Sequence, residues 1–89
     1  SDNARVTSVE LSVTVSRGSI PFYIVITDPM GHEYEQYVSA TSRFTITAFN
    51  EFYPGGTWQI YIYNEGVDFT DVSTATASMR VNYGYDSYA

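Results

Sequence analysis

The single histidine, His32, follows Asp28-Pro29-Met30-Gly31 and immediately precedes Glu33. An imidazole beside carboxylates is the raw material of general acid–base catalysis, provided the groups share a pocket and reach a substrate proton. Asp28-Pro29-Met30-Gly31 has Asp at i, Pro at i+1 and Gly at i+3, the preference of a type I β-turn. A turn tip is open to water, so His32 reads as a solvated turn histidine. Serines and threonines are many, yet none lies in Gly-x-Ser-x-Gly or another nucleophile elbow. A triad built on the only histidine is not expected, and the chain does not read as an enzyme.

Metal chemistry has one candidate. Glu65, Asp68 and Asp71, with Asn64 at the end of the preceding strand, form an acidic loop hinged at Gly66. Ca²⁺ takes roughly six to eight oxygen ligands from clustered carboxylates and carbonyls. Here the spacing is not that of an EF-hand, and Val67 and Phe69 interrupt it. A solvated acidic loop is the expectation, with no cofactor and Ca²⁺ as the minor alternative.

The third chemistry is aromatic. Nine tyrosines exceed what the core of an 89-residue chain needs. Tyr61 and Tyr63 alternate with Ile60 and Ile62, opposite the face begun by Trp58, and together with Gln59 they would make a strip if exposed. Such strips stack sugar rings or anchor protein partners. If a second sheet covers the strip, the same residues are core. Tyr34 and Tyr37 stand on the segment Glu33 to Val38, and with Gln59, Tyr61 and Tyr63 they complete the candidate binding set.

These residues need strands to hold them. Val9, Leu11, Val13 and Val15 alternate with Glu10, Ser12 and Thr14, the period-2 signature of a half-buried strand over about Arg5 to Ser16. Pro21 to Thr27 is almost continuously apolar, as a centrally buried strand would be. It turns through Asp28 to Gly31 into Glu33 to Val38, a more polar arm whose Glu33 and Glu35 would blunt a sheet edge. That edge is also where an extended partner or a neighbouring copy could add a strand. Phe44, Ile46 and Ala48 share a face of a strand over Arg43 to Phe49. Pro54-Gly55-Gly56 turns into Thr57 to Asn64, predicted to be the central strand, with Trp58, Ile60 and Ile62 in the core. Ala75, Ala77, Met79 and Val81 share a face of a last strand over about Val72 to Tyr83.

No window shows helical apolar spacing. Roughly six or seven strands separated by turn signals predict an all-β fold, a small antiparallel β-sandwich of jelly-roll or immunoglobulin-like type. Residues 5–83 form the single domain expected, with 1–4 a linker or cloning scar and 84–89 a frayed tail.

Two segments resemble a known family. Ile24-Val25-Ile26-Thr27-Asp28-Pro29-Met30-Gly31-His32-Glu33 is similar to the strand and Asp/Ser-Pro-x-Gly hairpin of bacterial pre-peptidase C-terminal domains and the P domains of subtilisin-like proteases. Gly56-Thr57-Trp58-Gln59-Ile60-Tyr61-Ile62-Tyr63 resembles a later strand of the same domains. The resemblance covers about a third of the chain. It implies a small non-catalytic β-sandwich carried by secreted hydrolases and surface proteins. The chain departs from P domains at its end, Ala77-Ser78-Met79-Arg80-Val81-Asn82-Tyr83, where they carry a Leu-x-x-Trp strand.

Charge narrows the partners. Ten acidic residues against four arginines and no lysine give net −6. No basic stripe is available to displace counterions from a phosphate backbone, so nucleic acid is not expected. No apolar run approaches the ~20 residues of a spanning helix, so direct membrane insertion is not expected either. With no cysteine, disulfides are excluded and the redox compartment stays open. The expected role is an accessory or adhesion-type module of an exported or cell-surface protein, working through protein–protein contact or as a spacer. A carbohydrate-binding module using exposed Tyr and Trp is the alternative.

Overall fold

A computed structural model describes residues 3–18, 20–63 and 74–85. The strands are β1 (Ala4–Arg17), β2 (Phe22–Thr27), β3 (Glu33–Val38), β4 (Ser42–Ile46), β5 (Gln59–Tyr63) and β6 (Thr74–Tyr85). They form two antiparallel three-stranded sheets, β4-β1-β6 and β3-β2-β5, stacked as a small β-sandwich. Among the described strands only β2 and β3 are joined as a hairpin within one sheet; every other connection passes between sheets.

The core lies between the sheets and follows from the alternation. Val9, Leu11 and Val13 of β1 and Ile24 and Ile26 of β2 are buried together, joined by Val6, Phe22, Val38, Ile46 and Phe49. β4 is shorter than its alternation implied. It ends at Ile46, and the chain turns through Asn50 N–H to Thr47 C=O (3.1 Å) and Phe52 N–H to Phe49 C=O (3.2 Å). The turn brings Phe49 inward and leaves Ala48 exposed. Beyond it the backbone clamps back onto β1: Val6 donates to Phe52 C=O and Glu51 to Val6 C=O, each at 2.9 Å.

The strand after Pro54-Gly55-Gly56 is not central. Its residues pair with β2 alone among the described strands, and β2 occupies the middle of the sheet. Ile60 and Ile62 are 40% and 50% exposed, whereas their register partners Ile26 and Ile24 are fully buried. One strand further out, the opposite sheet no longer covers the face. Trp58 precedes the strand and is only partly buried; its ring packs edge-on against Phe49 at 5.2 Å and its Nε1 donates to Pro54 C=O at 2.9 Å. Gly56 has φ +121°, and a Cβ there would come 2.7 Å from Pro29, so the two turns are docked against each other.

β6 also departs from a simple face. Met79, Val81 and Ala75 pack against the core, while Ala77 is exposed. Both ends of the domain reach past the expected limits. Ala4, assigned to the linker, is buried in β1, and Gly84 and Tyr85, assigned to the tail, pair with Arg5 and Ala4.

Candidate binding face

The outer face of the β3-β2-β5 sheet is set by register. Tyr23 lies between Tyr37 and Tyr63, Val25 between Glu35 and Tyr61, and Thr27 between Glu33 and Gln59. Side chains at paired positions share a face and stand about 5 Å apart. Four of the five expected binding residues, Tyr37, Gln59, Tyr61 and Tyr63, therefore belong to one surface at the level of the backbone. Tyr37 and Tyr61 are each 51% exposed. Tyr23 and Tyr37 meet edge to face, 5.5 Å apart at 66°.

The fifth, Tyr34, is on the other side. It is the register partner of Ile26 and packs against the core. Residues three apart in a strand cannot share a face, so Tyr34 and Tyr37 are divided by the period of 2. The two members that the sequence reading missed are Tyr23 and Val25. Their signal was present in β2, which is apolar on both faces; Val25 is 3% exposed although it lies on the outer side. Glu35 and Tyr61 are its register neighbours on the two adjoining strands.

Electrostatically the face is neutral to acidic. Glu33 and Glu35 border it along the edge strand β3, and no cation stands among its register positions. It is equipped to bind by apolar and hydroxyl contact.

The β2–β3 turn is more ordered than a solvated tip. Gly31 donates to Asp28 C=O at 3.0 Å, closing the turn, and has φ +92°. Asp28 is 3% exposed; its Oδ1 accepts from Met30 N–H at 3.1 Å and His32 N–H at 2.7 Å. Its Oδ2 lies 2.8 Å from His32 Nδ1, and the imidazole stacks on Phe52 at 4.0 Å and 15°. His32 is exposed on its turn, as read from the sequence, with 48% of its side chain accessible, and the buried Asp28 carboxylate orients it. A shallow groove of about 420 Å³ beside it is lined by Arg5, Met30, Glu51, Phe52 and Tyr53, with no serine, threonine or cysteine. Glu51 holds φ +73°, fixed by its bond to Val6.

A second groove, about 350 Å³, runs between Tyr53, Pro54 and Trp58 on one side and Val81, Tyr83 and Tyr85 on the other. Tyr83 and Tyr85 are exposed and meet edge to face at 5.8 Å. Its sequence signal was the Tyr83-Gly84-Tyr85 alternation, of which Gly84 and Tyr85 were read as tail.

Glu65, Asp68 and Asp71 lie outside the described residues, as do the surroundings of the Tyr63 side chain. Among the described residues no three His, Asp or Glu side chains cluster as metal ligands. No protein-family model, curated protein or solved structure matches the chain, and the resemblance to pre-peptidase C-terminal and P domains rests on its two segments alone.

Proposed function

We propose that the chain is a non-catalytic binding module of the accessory or adhesion type, belonging to an exported or cell-surface protein, and that it grips a protein partner through the outer face of β3-β2-β5. The observation that carries this is the pair of half-exposed tyrosines, Tyr37 opposite Tyr23 and Tyr61 opposite a buried Val25, on one outer face. Contact surfaces favour this composition: aromatic side chains at the centre, an apolar floor and a polar rim. Glu33 and Glu35 on that rim, on a chain of net −6 without lysine, suit a basic partner. The exported setting rests on the family resemblance.

Carbohydrate is the second reading, and one observation favours it. Tyr37 and Tyr61 are on strands either side of β2 and offset by two residues along them, roughly 12 Å apart, a spacing on which two sugar rings could stack. The 66° angle between Tyr23 and Tyr37 weighs against it, since a flat shelf would need coplanar rings.

The test uses the Tyr37→Ala/Tyr61→Ala double variant. Cell-envelope proteins captured by wild type and by a Ser12→Ala control, but lost by the double variant, would be identified and titrated against purified module. Affinity electrophoresis through polysaccharide gels runs in parallel. Retardation of wild type alone would move the assignment to sugar. If the double variant keeps every interaction of the wild type, the face is not a binding site.

A further inference from the structure

Among the described strands, the four at sheet edges are not equally protected against pairing with another chain. An edge strand presents alternate N–H and C=O groups outward, and natural sheets defend such edges with charges, bulges or brevity. β3 carries Glu33 and Glu35. β4 carries Arg43. β6 carries Arg80, and its pairing with β1 shifts register between Val6 and Ser8 and again between Val15 and Arg17, which twists that edge. β5, Gln59-Ile60-Tyr61-Ile62-Tyr63, has no charge, no proline and no register shift against β2.

β5 is also apolar on both sides at once. Ile60, Tyr61 and Ile62 are 40%, 51% and 50% exposed. On an edge that no other described strand covers, three consecutive large apolar side chains exposed by about half are a template for strand addition. Its central Ile60-Tyr61-Ile62 is moreover symmetric about Tyr61. In an antiparallel pairing of two copies centred there, Tyr61 faces Tyr61, Ile60 faces Ile62 and Ile62 faces Ile60. The three central cross-strand pairs are then aromatic–aromatic or β-branched–β-branched, the combinations that stabilise sheets, and Gln59 faces Tyr63 at each end.

We infer that β5 pairs with β5 of a second copy of this chain, antiparallel about Tyr61, joining two β3-β2-β5 sheets into one six-stranded sheet. Charge selects this edge for self-association. Two molecules of net −6 repel, and pairing through β3 would gather four carboxylates along one seam, whereas β5 brings none. A two-fold axis perpendicular to the sheet keeps both outer faces on the same side, so the tyrosine surfaces of the two copies run together through Tyr61. A five-residue edge buries less than the roughly 1,200–2,000 Å² of stable complexes, so the dimer is reversible and concentration-dependent. The inference rests on the β5 edge and is independent of what the outer face binds.

The absence of cysteine permits a direct test on the full chain. At the centre of the pairing the two Tyr61 Cα atoms would stand about 4.5–5.5 Å apart, within the range a disulfide spans. Tyr61→Cys should therefore cross-link into a covalent dimer under mild oxidation at least tenfold faster than Glu35→Cys, placed on the opposite edge. Adding Ile62→Lys to Tyr61→Cys should abolish that advantage. In sedimentation equilibrium the wild type should show a monomer–dimer equilibrium that Ile62→Lys shifts to monomer, with its circular-dichroism melt retained because Ile62 is half exposed. A wild type that stays monomeric to millimolar concentration overturns the inference. So does equal cross-linking of Tyr61→Cys and Glu35→Cys, which would report collision only.

Discussion

On the outer face of β4-β1-β6, Glu10 stands between Thr45 and Arg80, and Ser12 between Arg43 and Ser78. At the matching positions of the other sheet, Val25 stands between Glu35 and Tyr61, and Tyr23 between Tyr37 and Tyr63. Both central strands bury their inner residues equally well. The first outer face satisfies itself in water: Asn82 Nδ2 donates to Ser8 Oγ and to Glu10 Oε2, each at 3.0 Å. The second places apolar and aromatic side chains where folding alone would accept serine and threonine. Exposed apolar surface on one side of a sandwich whose other side is polar supports the proposal that this side is a contact surface. The difference between the two faces, more than any single residue, is the support for the proposed binding face.

The largest effect lies in what the two sheets share. Phe49 is 1% exposed and closes the core from the turn after β4. Phe49→Ala should cost ~3–5 kcal/mol in denaturant melts. Trp58→Ala, despite the larger ring, should cost only about 2–3 kcal/mol, because part of that ring remains in water. If the order is reversed, Trp58 is the keystone and the core is centred nearer β5 than the burial shows.

Next comes the comparison itself. Val25→Ala removes two methyl groups from an outer position that is nonetheless buried, and should cost about 1.5–2.5 kcal/mol. Ser12→Ala, at the equivalent place on the polar face, should stay within ~0.5 kcal/mol. Equal small losses would mean that Val25 is not packed by Tyr61 and Glu35, and the two faces would differ in composition only.

Much of this was legible beforehand. The limits of β3, the turn at Asp28 to Gly31 and the inward set of β1 follow from alternation and turn chemistry, which are local. What alternation cannot report is which strand lies beside which. Ile60 and Ile62 alternate as cleanly as Leu11 and Val13, but one pair belongs to an edge and the other to a centre, so only the second is covered. The better indicator of centrality was β2, apolar on both faces. The candidate face suffered from the same blindness: Tyr23 was hidden inside an apolar run, and Tyr34 was grouped with Tyr37 across an odd spacing. His32 is solvated as read, but its stacking on Phe52 was not legible, because Phe52 comes from a distant part of the chain.

The smallest effect tests how far the tyrosine face is organised before any partner arrives. Tyr23 and Tyr37 are directly opposed in the β2–β3 register, with ring centroids 5.5 Å apart at 66°. An edge-to-face pair of this kind contributes ~0.5–1.5 kcal/mol beyond the area it buries. A double-mutant cycle with Tyr23→Leu and Tyr37→Leu isolates that term, since leucine keeps apolar bulk and removes the ring pair. We expect a coupling within that range, measured from chemical denaturation at fixed slope. Such a coupling means that Tyr37 is held in place on the free protein, and a partner then meets a surface that loses little side-chain freedom on binding. A coupling near zero would leave Tyr37 a mobile side chain on a charged edge. The contrast with the polar face would then reduce to Val25 and Tyr61, and the contact surface would be centred on β5 instead of β2.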